Sequence, residues 1–160
     1  MTGSPSTDPV RRDAIAPDTG PPSDPGFAVF WTWFQEIWDA DWRNAAGIVA
    51  QAIDSLPVGS TFVAGTQATS HYTKRDQNWL QCETTATRVL KSGPRRGRAV
   101  TETSTSLTGG GWSLGLGVAF GRRESIDWRL LELVYRTSVA EQLLPQDITA
   151  RITSAHAQPD

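Results

Sequence analysis

The sequence predicts an α+β fold: an aromatic N-terminal helix packed on a curved antiparallel sheet of four to five strands, or a small barrel made from that sheet. Three observations carry this expectation. From Phe27 onward apolar side chains recur at steps of three and four, the period of one helical face. Between Trp79 and Phe120 apolar or small residues alternate with polar or large ones, the period of a strand. The links between those alternating segments are short, which makes consecutive strands antiparallel neighbours.

Residues 1–26 hold six of the ten prolines among Ser, Thr, Asp and Gly, too little apolar surface to offset the entropy of ordering, and read as a disordered arm. Asp24-Pro25 then supplies a helix start, an acceptor for free N–H groups followed by a residue whose fixed φ suits the first turn. Phe30, Trp31, Phe34, Ile37, Trp38, Trp42, Ala45, Val49, Ala52, Ile53 and Leu56 form the stripe. Asn44 and Gly47 interrupt it, giving an aromatic helix and a small-residue helix, and Pro57 ends the second. Thr61 to Tyr72, Trp79 to Lys91 and Arg98 to Thr108 read as strands, with Lys91 to Gly97 as a turn.

Gly109-Gly110-Gly111 allows a tight reversal into Trp112 to Phe120, read as a further strand. In that strand Trp112, Leu114, Leu116, Val118 and Phe120 share one face, and Ser113, Gly115, Gly117 and Ala119 leave the other nearly bare. The helix would lie on the bare face, the converse being the large row against the helix with the bare face lining a ligand slot. In the first case the opposite row needs a cover, from the C-terminal segment, a second subunit or a bound apolar molecule, and a homodimer or a closed barrel is expected. Ile126 to Arg136 reads as a strand, because Ser138 and Glu141 have capping-box spacing and would start a separate helix at Val139. The single α+β domain is thus expected over 27–145, with 146–160 as a peripheral tail.

The 160 residues carry a formal charge of −2, and the sequence pI is near 5.7, so the chain as a whole has no attraction for nucleic acid or anionic lipid. A lone cysteine, Cys82, excludes an internal disulfide, and with only His71 and His156 beside it no metal or other cofactor is implied. No apolar run approaches the ~20 residues of a membrane span. With no basic, apolar leader at the start, a cytoplasmic chain is expected.

Individual residues suggest several chemistries. Trp38, Trp42, Trp79 and Trp112 are candidates for an aromatic ligand wall, and Trp33, off the helical stripe, for a contact surface. His71 is a candidate general base with Asp76, Glu83 or Glu102 near it in the sheet. Adjacent Ser70 points to the opposite face and cannot serve as its nucleophile. Glu83 and Glu102 pair across the sheet or meet Arg88 and Arg98. Arg95, Arg96 and Arg98 form a turn cluster able to hold a phosphate or a carboxylate. Three arginines make a poor nucleic-acid footprint, and no nucleic-acid partner is expected. Gly115 to Gly121 lacks the spacing of a dinucleotide loop.

Asn44 to Asp54, Arg88 to Arg98, Gly109 to Gly111 and Val118-Ala-Phe-Gly121 together resemble a hot-dog domain of the acyl-CoA thioesterase superfamily over residues 44–121. That resemblance implies a central helix wrapped by the sheet, with Asp54 as the catalytic acidic residue that acts as base or orients water and the Gly47 amide polarising a thioester carbonyl. The function expected on this reading is the binding of an apolar acyl or polyketide-like ligand between helix and sheet, with its hydrolysis or rearrangement by a thioesterase-like hydrolase or a cyclase- or dehydratase-type enzyme. The alternative is a non-enzymatic assembly or binding module whose Trp-rich helix is a partner surface.

Overall fold

The computed structural model describes residues 20–65 and 69–158. Five α-helices and one open four-stranded antiparallel sheet appear among them, so the α+β class holds, while the sheet does not close into a barrel. Helices α1 (Pro25–Ala40) and α2 (Trp42–Asp54) precede strands β1 (Thr61–Ala64), β2 (Thr69–Lys74), β3 (Trp79–Val89) and β4 (Ala99–Gly109). Helices α3 (Gly110–Ala119), α4 (Trp128–Ala140) and α5 (Gln146–Ala157) follow, with a single 3-10 turn at Arg123–Ser125. The expected arm over residues 1–26 lies mostly outside the described residues.

The first two helices follow from their caps. Asp24 accepts the Gly26 N–H at the start of α1, as its pairing with Pro25 implies. The break into α2 falls at Asp41, earlier than Asn44 or Gly47, because Asp41 is extended and its carboxylate accepts the Arg43 N–H. Phe27, Phe30, Phe34 and Trp38 are buried along one face of α1, each worth roughly 1.5–3 kcal/mol. They lie against Leu131, Val134 and Tyr135 of α4 and Ile148 and Ile152 of α5 in one core. The aromatic helix therefore packs chiefly on α2, α4 and α5 rather than on the sheet, since two later helices offer it an apolar surface.

The sheet is a meander in the order β1-β2-β3-β4. The segment expected as one strand over Thr61–Tyr72 is two antiparallel strands, with Phe62 paired to Tyr72 and Val63 to His71. Ala64, Lys74, Leu80 and Cys82 share the face turned to the helices and are buried. Toward Val89 and Ala99 the β3–β4 ribbon leaves the body, and its residues are exposed on both faces.

Two further segments differ from expectation. Residues 112–119 are helical, not a strand, with Phe120 as the C-cap: Gly110, at φ +40°, turns the chain, and α3 begins at once. What fixes the helix is the approach of α3 to α2. An added Cβ at Gly111 would fall 2.5 Å from the Ala50 carbonyl oxygen, and at Gly115 2.2 Å from that of Ala46. Two four-residue steps, Gly111/Gly115 on α3 and Ala46/Ala50 on α2, thus mesh backbone to backbone about one turn apart. Residues 128–136 are likewise helical. Asp127 accepts the Leu130 N–H at the N-cap, and Leu130, Leu131, Val134 and Tyr135 are buried at helical spacing. Ser138 is no cap but sits buried in the last turn of α4, where its carbonyl accepts the Leu143 N–H beyond Gln142. The stretch from Gln146, expected to be peripheral, forms α5, whose Ile148 and Ile152 join the core.

Candidate functional site

The residues singled out from the sequence occupy separate places. Asp54, at the end of α2, accepts the Gly111 N–H at 3.0 Å, so its carboxylate meets the free N–H groups that open α3. Gly47 is the sixth residue of α2, where its amide serves the helix ladder. His71 lies on β2 between Val63 and Glu83 and lines a shallow depression with Thr61, Thr73 and Glu83 on the face away from Lys74. Asp54 and His71 therefore serve opposite sides of the sheet. Glu83 pairs with His71 and Thr105, while Glu102 forms a two-pronged ion pair with Arg88 at 2.9 and 3.0 Å, so the two carboxylates do not meet.

The tryptophans divide in the same way. Trp38 is buried and donates its indole N–H to the Ala119 carbonyl at 3.1 Å, tying α1 to the end of α3, with Arg123 stacked over its ring. Trp33 is half-buried against Phe30. Trp79 is exposed at the start of β3. Trp42 and Trp112 flank the outer side of α3, where Phe120 lies 4.6 Å, ring to ring, from Trp42. Arg95, Arg96 and Arg98 stand exposed at the tip of the β3–β4 ribbon.

The outer side of α3 leaves several large apolar side chains open. Trp112, Leu116 and Phe120 follow one another at four-residue steps and form a ridge, with Phe120 66 % and Trp112 47 % exposed. Ser113 and Gly117 make a shallow groove beside it, and outside α3's own adjacent backbone no atom lies within 4 Å of a Cβ placed on Gly117. Past Gly117 the surface drops into a pocket of about 240 Å³ between α3, α4 and the end of β1. Leu114, Val118, Ile126, Leu130 and Leu131 give it apolar walls, and Gly65, Arg122 and Asp127 stand at its rim. Asp127 is committed to backbone there, accepting the Gly65 N–H at 2.7 Å as well as that of Leu130.

Three arrangements escape sequence reasoning. Lys74 is 2 % exposed, and its ammonium donates to the carbonyls of Asp54, Leu56 and Ile53 at 2.6, 2.7 and 3.3 Å, closing the C-terminal end of α2 with a cation. Its three donors are all used. Asp24, besides capping α1, accepts from the His156 ring at 2.6 Å and from the Tyr135 hydroxyl, joining α1, α4 and α5. Burial raises the Asp24 carboxyl, but the Tyr135, His156 and Gly26 hydrogen bonds outweigh it and hold the group below the usual carboxylate range. Burial, aided by Asp24, pushes the Tyr135 hydroxyl up, and burial with Cys82 does the same to Tyr72. One signal is present in the sequence: Lys74 falls in strand register with buried Leu80 and Cys82, an inward position that a lysine takes only when it finds acceptors.

Among the described residues no cluster of His, Cys, Asp and Glu could hold a metal ion, and no helix is long and apolar enough to cross a membrane. No known protein family, no curated protein and no solved structure matches the chain.

Proposed function

We propose that the chain is a non-catalytic assembly module that pairs with a second copy of itself through the outer side of α3. The observation that carries this reading is the ridge of Trp112, Leu116 and Phe120 lying beside the groove of Ser113 and Gly117. Such a surface is self-complementary, because a two-fold axis sets the ridge of each α3 into the groove of the other. Glycine and serine let the helices approach closely, and aromatic anchors at the centre of an interface supply most of its affinity. Hydrolysis of a thioester draws no support from Asp54, Gly47 and His71, which do not converge on one reacting atom. Sedimentation velocity of the full chain tests the pairing. A species of twice 17.4 kDa is expected, and W112S/F120S should be monomeric with an unchanged circular dichroism spectrum. A wild-type chain that stays monomeric well above micromolar concentration refutes it.

A second reading, an apolar acyl ligand, is favoured by the pocket between α3 and α4. At about 240 Å³ it is smaller than the ~300–1,000 Å³ of drug-sized sites, so it suits a short chain with its polar end at Arg122. Native mass spectrometry of protein purified from its own host would reveal the retained molecule. A bare chain, unresponsive to added acyl thioesters in tryptophan fluorescence, would dismiss it.

A further inference from the structure

The chain's charge is not spread evenly. Residues 88–102 hold five of the 15 basic side chains, Arg88, Lys91, Arg95, Arg96 and Arg98, and one of the 17 acidic ones, Glu102. That stretch therefore carries a formal +4 and the remainder −6. The fold then places all five cations on one projecting element. β2 pairs with β3 as far as Thr85, and beyond it the ribbon has two strands, with four residue pairs from Ala86↔Glu102 to Val89↔Ala99. At about 3.3 Å per residue this shaft is about 13 Å long. The tip beyond it is closed by the Leu90 N–H to Arg98 carbonyl and Gly97 N–H to Leu90 carbonyl bonds, both 2.9 Å. Of the five cations only Arg88 has an ion-pair partner among the described residues, Glu102. Lys91, Arg95, Arg96 and Arg98 point into solvent from two consecutive turns.

We propose that the β3–β4 arm docks double-stranded DNA, with the cationic tip in a groove and the shaft hydroxyls along the phosphates. Thr85 and Thr103, and Thr87 and Thr101, stand as two cross-strand hydroxyl pairs on one face, donors of the kind that meet phosphate oxygens. A two-stranded ribbon fits the major groove of B-form DNA, about 12 Å wide, whereas the major groove of an RNA duplex is too narrow for it. No Phe, Tyr, Trp or His occurs between Thr84 and Ser106, so the arm has no platform for the unstacked bases of a single strand. With no aromatic residue, and Val89 the one exposed large apolar side chain between Ala86 and Glu102, the arm has little to insert into a lipid surface. The overall negative charge predicted no such partner, but the net acidic excess falls outside residues 88–102.

The inference goes beyond pairing through α3 and does not depend on it. Anisotropy of a fluorescein-labelled duplex two helical turns long, titrated with the full chain in rising salt, tests it. Four cations neutralising phosphates give a log–log salt slope of about −3.6 per arm, a fall in affinity of about 100-fold between 50 and 200 mM. R95Q/R96Q/R98Q should bind more than tenfold more weakly at the lower salt, with a slope near −0.9 and an unchanged melting temperature. The W112S/F120S chain should still bind through its single arm, so loss of pairing and loss of DNA binding are read separately. No duplex binding at 50 mM salt overturns the proposal, as does binding that the triple glutamine variant leaves intact. Tighter binding to single strands or to phosphatidylserine vesicles than to the duplex overturns it too.

Discussion

Replacing Gly115 by alanine probes the contact that makes 112–119 a helix. A Cβ there would stand 2.2 Å from the Ala46 carbonyl oxygen and 3.0 Å from its carbon, all of it backbone that no side-chain rotation can clear. Carbon–oxygen contacts settle near 3.3 Å or beyond, so α3 must retreat from α2 by about 1.1 Å along this seam. Overpacking of this kind costs about 1–3 kcal/mol, and this case belongs at the upper end because both partners are main chain. Alanine returns about 1 kcal/mol as the better helix former. The net loss is about 2 kcal/mol, or roughly 5 °C in melting temperature for a chain of this size. Gly117→Ala is the control, since outside α3's own adjacent backbone nothing lies within 4 Å of its added carbon. It keeps the propensity gain alone and should raise the midpoint by about 2–3 °C. Both are to be measured by urea and thermal unfolding in the W112S/F120S background, where pairing through α3 does not enter. Equal stabilities for the two alanine variants would show that the glycines are not there for the close approach.

Other outcomes follow from the caps and clamps. Lys74→Met keeps the length of the side chain but strands three carbonyls at the end of α2, and should cost about 2–3 kcal/mol in urea unfolding; a loss below half of that would mean water replaces the ammonium. Asp24 has a depressed folded-state pKa, so its contribution is present above its unfolded value and disappears as pH falls. The melting-temperature gap between wild type and Asp24→Asn should therefore hold from pH 7 to 5 and close below about pH 4, and a gap independent of pH would contradict the assignment. Gln142 sits at φ +57° where α4 ends, a conformation that glycine adopts without strain. Gln142→Gly should stabilise by about 0.5–1 kcal/mol in thermal unfolding, and a loss would place the glutamine side chain in a contact of its own.

Legible in the sequence is whatever a short window decides. Asp24-Pro25 marks the start of α1, the three-and-four spacing gives its buried face, and β3 and β4 lie within two residues of their expected ends. Residues 112–120 mislead because large groups at every second position fit a strand, while the deciding fact, two alanines on α2 placed to receive Gly111 and Gly115, is some 65 residues away. Glycine weakens helix and strand alike, so local preference does not choose between them there. In α4 the capping-box spacing of Ser138 and Glu141 competes with the burial pattern from Leu130 to Tyr135, and the latter is the stronger signal. The candidate site is less legible still. Asp54 stands out as an acid near a helix end, yet the helix it serves is α3, visible only in three dimensions. The arginine cluster reads as a turn, but nothing local shows that the turn stands off the body on a two-stranded shaft.

The Asp54–Gly111 hydrogen bond has a bearing on the order in which the molecule assembles. The entire sheet is an excursion that departs from the helical body at one side of this bond and returns at the other, 57 residues later. Closing so long a loop of free chain is entropically unfavourable. Each rung of the meander, however, pairs only with its sequence neighbour, so hairpins formed first would shorten the loop that the Asp54–Gly111 contact has to close. On that order the sheet is a folded hinge pin between the two halves of the bundle, and a substitution that slows its hairpins is expected to slow refolding of the whole chain in stopped-flow measurements.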